Sequence, residues 1–261
     1  MKKYFLAVAL PLVLLCGCKN QTIEEKTADY EAKMAAIVEE FNETMPTIEE
    51  EDAQEEFYMK CVDKIKDLSL AVIKKNSDNA LGVKAFQEVY PMLEEAQASE
   101  ILAGFNGETL EDPFIKMVTN TLEAKKKVVE GGMFLDFEVD GVKFSDYVGK
   151  GKYILVDFWA SWCGPCKQEI PNIKAVYEKY AGDDFDVLSI AVWDKPEDTI
   201  KAAEEHGVVW NQIINAQKIP TDLYGIEGIP QIMLFGPDGT IVKKSVRGAE
   251  IEAAVAEALG R

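Results

Sequence analysis

Two cysteines, Cys163 and Cys166, stand two residues apart in the run Trp162-Cys163-Gly164-Pro165-Cys166. Thiols at this spacing can close a disulfide and reopen it by thiolate attack, so the chemistry they point to is thiol–disulfide exchange. An apolar strand-like run, Tyr153-Ile154-Leu155-Val156-Asp157-Phe158-Trp159, leads into them, and a helical pattern begins at them. The first N–H groups of a helix have no intrahelical partner and carry partial positive charge, which stabilises a thiolate. Cys163 falls at that position and is expected to be an exposed nucleophile with a lowered pKa. Cys166 lies one turn deeper, within reach of a mixed disulfide formed on Cys163. Pro165 suits the first turn because its missing N–H is not needed there. Gly164 leaves room for a partner backbone. Structural zinc takes four protein ligands, and the chain has no second Cys-x-x-Cys and one histidine, His206, read as the end of a helix. The sequence therefore implies no metal and no cofactor. A purely structural role is disfavoured because the loop such a bridge closes is tiny.

The elements that must position these thiols follow from periodicity. Segments 134–139 and 142–144 flank Asp140-Gly141, a hairpin signal. Strands are expected at 153–159, 185–192, 210–214, 231–235 and 240–246, and helices at 163–180, 197–206 and 250–259. Strands alternating with helices and ending in a hairpin imply a mixed sheet covered on both faces, an α/β domain over 131–261. Ahead of the Gly131-Gly132 pair the pattern is helical. Helices are expected at 22–42, at 48–75, at 80–98 with a break at Pro91, and from Asp112-Pro113 to Lys125-Lys126-Lys127. Their apolar stripes imply a small helical bundle over 19–130. Glu49-Glu50-Glu51-Asp52 reads as a solvated helix start rather than a metal site. Trp159 and Trp162 read as packing and partner-contact surface.

The 261 residues carry a net charge of −18, with 25 acidic residues against 13 lysines in 19–130 and 21 against 13 lysines and arginines in 131–261. That balance excludes nucleic acid as a partner, since phosphate binding needs clustered Lys and Arg, and it excludes docking on anionic lipid through a basic patch. The first residues stand apart. Lys2 and Lys3, the apolar stretch 5–15 and the small-residue site Leu15-Cys16-Gly17-Cys18 read as a secretory signal, too short to span a bilayer. An exported protein with Cys163 and Cys166 paired leaves Cys61 over. Its neighbours Phe57, Tyr58, Ile65 and Leu68 mark it as a packed small hydrophobe.

The segment Val156-Asp157-Phe158-Trp159-Ala160-Ser161-Trp162-Cys163-Gly164-Pro165-Cys166-Lys167 resembles the active site of the thioredoxin superfamily, with Pro171 where that family's helix kinks. Ile229-Pro230 ahead of a strand resembles the family's cis-proline, which faces the cysteines and helps hold the partner segment. The resemblance covers about residues 133–261. The segment inserted between about 192 and 224, the hairpin and the N-terminal tetrad are similar to the TlpA/ResA-type thioredoxins of the bacterial cell envelope. Leu15-Cys16-Gly17-Cys18 resembles a lipobox, which implies a signal over 1–17, cleavage before Cys18 and lipid on Cys18. Glu169 matches a glutamate of that branch and Asp157 the buried aspartate of ordinary thioredoxins. Either carboxylate, buried near Cys166, could take its proton during resolution.

The resemblance implies a periplasm-facing, lipid-anchored reductant, with Cys163 attacking and Cys166 resolving. Trp162, Gly164, Pro165, Ile229 and Pro230 are expected to contact the substrate. Disulfide-bearing envelope proteins, for example in cytochrome c maturation, would be the substrates, and a membrane-bound reductase the electron donor. Two alternatives stand beside it. One is a peroxiredoxin-like peroxidase, although such enzymes place a threonine or serine and a proline just before the reactive cysteine, where this chain has Ala160-Ser161-Trp162. The other makes the helical segment a binding module that recruits a partner, with the redox domain accessory.

Overall fold

The computed structural model describes residues 21–261; the leader and Cys18 lie outside them. Contacts divide the chain into two compact units: residues up to Glu94 with Gly104–Thr109, and Glu95–Ala103 with Leu110–Arg261.

The first unit is built on α1 (Ile23–Thr44), α2 (Glu51–Ile73) and α3 (Ala80–Val89). Thr22 and Glu25 form a reciprocal capping box that starts α1. The Met45-Pro46-Thr47 break expected from sequence is a 3-10 turn. Cys61 is free and buried on α2, and in the same unit the Tyr30 and Ser69 hydroxyls hydrogen bond at 2.9 Å. The expected helix over 80–98 is two helices. After α3, a 3-10 turn at Tyr90–Met92 holds Pro91, and α4 (Glu95–Gly104) follows. A proline ring clashes with the preceding turn and lacks the N–H of the ladder, so it kinks or breaks a helix; here it breaks it.

The second unit takes in α4 and adds α5 (Pro113–Lys127), whose first turn is capped by Asp112 accepting from Phe114 N–H at 2.8 Å. Then come β1 (Glu138–Val139), β2 (Val142–Lys143), β3 (Tyr153–Trp159), α6 (Gly164–Tyr180), β4 (Phe185–Ala191), α7 (Pro196–His206), β5 (Asn211–Ile213), α8 (Ile219–Tyr224), β6 (Gln231–Phe235), β7 (Ile241–Lys243) and α9 (Ala249–Leu259). The five-stranded sheet has the order β5-β4-β3-β6-β7. β4 and β5 run parallel to their neighbours, while β6 pairs antiparallel to β3 and β7 antiparallel to β6. Strand side chains alternate between faces. Leu155 and Trp159 of β3 pack with Cys166, Ile170 and Ile173 of α6 and with Ile251 and Val255 of α9. Ile154, Val156 and Phe158 pack on the opposite face with Phe144, Tyr224 and Val128. The central strand is therefore buried on both sides, and its C-terminal end delivers the chain to the cysteines.

Three expectations are corrected. The hairpin strands are only two residues each, because the backbone groups of Phe134 and Leu135 bond elsewhere. Phe134 N–H donates to Gly239 O at 2.9 Å, and the Tyr224 hydroxyl both accepts from Leu135 N–H and donates to Leu135 O. The last strand is Ile241–Lys243 rather than 240–246, since Ser245 turns to positive φ (57°). The helix α8 was not foreseen; six residues with Pro220 in the first turn give too little period to read. His206 is the last residue of α7, but the turn that ends it is made by Gly207 in the left-handed region.

Gly225 ends α8 at φ +63°, and a Cβ there would sit 2.8 Å from Thr121 O and 2.8 Å from Lys125 Cγ, both on α5. Gly225→Ala is expected to lose ~1–3 kcal/mol of unfolding free energy from the left-handed conformation and the overlap together. Urea unfolding of parent and variant measures it, and a loss below about 0.5 kcal/mol would mean that α5 gives way freely at this contact.

Candidate active site

Cys163 is the N-cap of α6, with extended backbone (φ −80°, ψ 102°), and its Sγ accepts the Cys166 N–H at 3.1 Å. Gly164 and Pro165 make the first turn, and Pro171 lies inside the helix. The two cysteines are joined in a disulfide with Cα atoms 5.3 Å apart. In this oxidised form Cys163 is 3% exposed, which corrects the expectation of an exposed nucleophile. Its neighbours are open instead: Trp162 is 60% exposed, Gly164 and Pro165 are exposed, and a Cβ at Gly164 would meet nothing within 4 Å. The sulfur sits at the bottom of an accessible rim.

The other wall of the rim is the loop before β6. The Ile229-Pro230 peptide is cis, and the Ile229 carbonyl oxygen lies 3.7 Å from Cys163 Sγ. The structure thus brings Trp162, Gly164 and Pro165, at the head of α6, together with Ile229 and Pro230 around the disulfide. Trp162 is held by its indole N–H donating to the Trp193 carbonyl at 3.0 Å. Trp159, by contrast, is 1% exposed and part of the core.

Asp194 is a residue that the sequence reading missed. Its buried carboxylate accepts four hydrogen bonds: from Ser161 N–H (2.6 Å), Ser161 Oγ (2.9 Å), Lys195 N–H (2.9 Å) and Thr199 Oγ1 (2.9 Å). It fixes the turn that carries Trp162 and Cys163 to the start of α7. The signal available was an aspartate two residues ahead of a proline that opens a helix; its partner Ser161 lies 33 residues away.

The two candidate proton acceptors differ. Asp157, in mid-β3, is 1% exposed and faces the α6 side of the sheet, with Leu155 and Trp159. Its Oδ2 accepts from Ser189 Oγ at 3.4 Å and its Oδ1 has no hydrogen-bond partner. Trp210 Nε1 donates to that same serine oxygen at 2.8 Å. An indole N–H can only donate, so the serine hydrogen is left to point at the carboxylate. Burial pushes Asp157 up to about 7; Ser189 and the charge of Arg247 oppose the shift, and Glu169 adds to it. Glu169 is half-buried, and its Oε2 accepts from Gly248 N–H at 3.0 Å and Asn172 Nδ2 at 2.9 Å, tying α6 to the head of α9.

A strand leading into Cys-x-x-Cys at a helix N-terminus, a cis-proline facing the sulfur, and a mixed sheet with helices on both faces define a thioredoxin-like domain. Residues 124–244 match the AhpC/TSA family model. The thiol-disulfide oxidoreductase ResA of Geobacillus thermodenitrificans is 28% identical over 134 residues, 49% of this chain and 75% of the relative. ResA of Bacillus subtilis is 24% identical over 124 residues, 46% and 68% of the two chains. Among solved structures, a thiol:disulfide interchange protein from a Bacteroides species is 30% identical with a TM-score of 0.45, over 52% of this chain and 93% of that one. The C-terminal half of the chain is a thioredoxin-like domain similar to the ResA-type thiol-disulfide oxidoreductases.

The Asp157 pKa has a consequence for stability. Between its unfolded value near 3.8 and its folded value of about 7, the folded protein holds a proton that the unfolded chain has released. Stability attributable to this group therefore falls as pH rises through that window. Asp157→Asn is expected to be more stable than the parent at pH 8, by on the order of 2–4 kcal/mol, with the gap closing toward pH 4. Urea unfolding of both oxidised proteins across that range measures it; a gap independent of pH would show that Asp157 does not titrate there.

Proposed function

We propose that this protein reduces disulfides of cell-envelope proteins by thiol–disulfide exchange, Cys163 attacking and Cys166 resolving. The observation that carries the reading is the placement of Cys163 Sγ, which receives a helix N-terminal amide on one side and faces the Ile229 carbonyl on the other. Starting from the dithiol, the Cys163 thiolate attacks one sulfur of a substrate disulfide and expels the other as a thiolate, leaving a mixed disulfide. Cys166 passes its proton to Asp157, and its thiolate then attacks Cys163 Sγ. The second substrate thiolate leaves, and the Cys163–Cys166 disulfide remains. Two electrons have moved from the protein to its substrate. The amide that holds Cys163 Sγ favours its negative charge in the thiolate and makes it a better leaving group when the disulfide is reopened.

Export, lipid on Cys18 and supply of electrons by a membrane-bound reductase complete the proposal. Residues 1–18 as read from sequence support the first two, and the need to regenerate a dithiol outside the cytoplasm supports the third. Among the described residues no helix is long and apolar enough to cross a membrane. Apocytochrome c is one substrate of the right chemistry, a protein whose own cysteines must be reduced before use.

Two measurements test the reading. Cys166→Ala, reduced and mixed with a disulfide-bearing protein such as insulin, is expected to accumulate a dithiothreitol-sensitive adduct through Cys163, and Cys163→Ala to accumulate none. The match to the AhpC/TSA family favours a second reading, peroxide reduction, so the same preparations are given hydrogen peroxide. Turnover of peroxide without adduct formation would replace the first reading with the second. The direction of exchange is set by the reduction potential. A reductant is expected near the thioredoxin value of about −270 mV, and a value near about −120 mV would make the protein an oxidant.

A further inference from the structure

We infer that Lys125, on α5 and far in sequence from the cysteines, is a positioning residue that fixes the partner-facing loop at Ile229-Pro230 and so sets the affinity for protein disulfides. The inference rests on the exchange reading above and names a determinant of its substrate class.

Lys125 Nζ lies 2.5 Å from Glu227 Oε2 and 3.2 Å from Glu95 Oε1, its side chain 23% exposed. One cation therefore joins three segments: α5, the start of α4, and the loop two residues before Ile229. Burial works against its charge, but the two carboxylates outweigh it and hold the ammonium above the ordinary lysine value. A second contact acts on the same loop. Gly225 packs so closely on α5 that a Cβ there would overlap Thr121 O and Lys125 Cγ. The Lys125 stem thus covers Gly225 while its head holds Glu227, and the chain between them has little freedom to slide.

Two residues beyond Glu227, the Ile229 carbonyl stands 3.7 Å from Cys163 Sγ. Lys125, Glu95, Glu227, Gly228, Gln231 and Lys244 also line a groove of about 280 Å³, which takes in the residues on either side of Ile229-Pro230. A protein disulfide has to fit against the loop; a small disulfide needs only the sulfur. Freeing the loop should therefore weaken protein substrates selectively, because it loosens a binding surface and leaves the chemistry of the thiols alone.

The test uses the full chain with dithiothreitol as electron donor and two substrates, insulin and 2-hydroxyethyl disulfide. Lys125→Met keeps the stem over Gly225 and removes both ion pairs; Glu227→Gln removes the pair nearest the loop; Lys125→Arg restores both. Expected for Lys125→Met and Glu227→Gln is a rise in KM for insulin of about fivefold or more with kcat within about twofold. Turnover of 2-hydroxyethyl disulfide and the reduction potential are expected to match the parent, and Lys125→Arg to recover the insulin KM. Equal loss on both substrates, or an insulin KM like the parent's, overturns the inference while leaving the exchange reading in place. A parent inert toward both substrates overturns that reading and this inference with it.

Discussion

Cys163 Sγ accepts the amide proton of Cys166, and much of the domain serves to bring those two atoms together. The bond needs Cys163 at the N-cap, outside the helix, and Cys166 at its third residue, inside it. It therefore needs a chain that leaves β3, makes one turn, and enters α6 at a fixed angle. Cys163 N–H donates to Ala160 O at 3.1 Å and Lys167 N–H to Cys163 O at 3.2 Å, so the turn and the first helical bond are made on either side of the sulfur. Pro165 has no N–H to compete for it. Asp194 pins the turn from outside, and burial of Ile170 and Ile173 pins the helix from below. A thiolate at the same position would keep this donor, which favours negative charge on Cys163.

What could be read from sequence is what depends on neighbours along the chain. β3 shows as a run of apolar residues buried on both faces, α6 begins where the cysteines and Pro165 say it begins, and Asp112-Pro113 opens α5 by the same local chemistry. The single carboxylate inside β3 stands out as an anomaly because nothing short-range justifies an aspartate there. What could not be read depends on partners far along the chain. Asp194 acts on Ser161 across 33 residues and Lys125 on Glu227 across 102. The Tyr224 hydroxyl takes the backbone groups of Leu135 across 89 residues, which is why a segment with strand composition makes almost no strand. The exposure of Cys163 was misjudged for a related reason. Its position on the helix predicts where the sulfur points, but the rim around it is made by Trp162 and by a loop 66 residues on.

That rim changes how a partner is met. With the oxidised sulfur buried, an incoming thiolate does not find it by collision with an open surface. The groups exposed beside the sulfur are Trp162, Gly164 and Pro165, while Ile229 is half-buried and Pro230 buried. Gly164 contributes by absence, since the space a side chain would fill is empty. The indole of Trp162 is exposed yet tethered to Trp193 O, so it presents a large apolar face at little further entropic cost.

The surroundings of Asp157 and Glu169 differ in kind. Glu169 has donors on the same oxygen from Gly248 and Asn172, and one of them is the amide that starts α9. Those bonds hold α6 against α9. Asp157 is the reverse case, with one long bond from Ser189, one oxygen with no partner, and enclosure on every side. Its anion is poorly solvated, and burial raises the Asp157 pKa to about 7. The charge of Glu169 adds to the proton affinity of Asp157 while that of Arg247 subtracts from it. The carboxylate with the raised pKa is therefore the one with the fewest hydrogen bonds, and the well-bonded one contributes to the field around it.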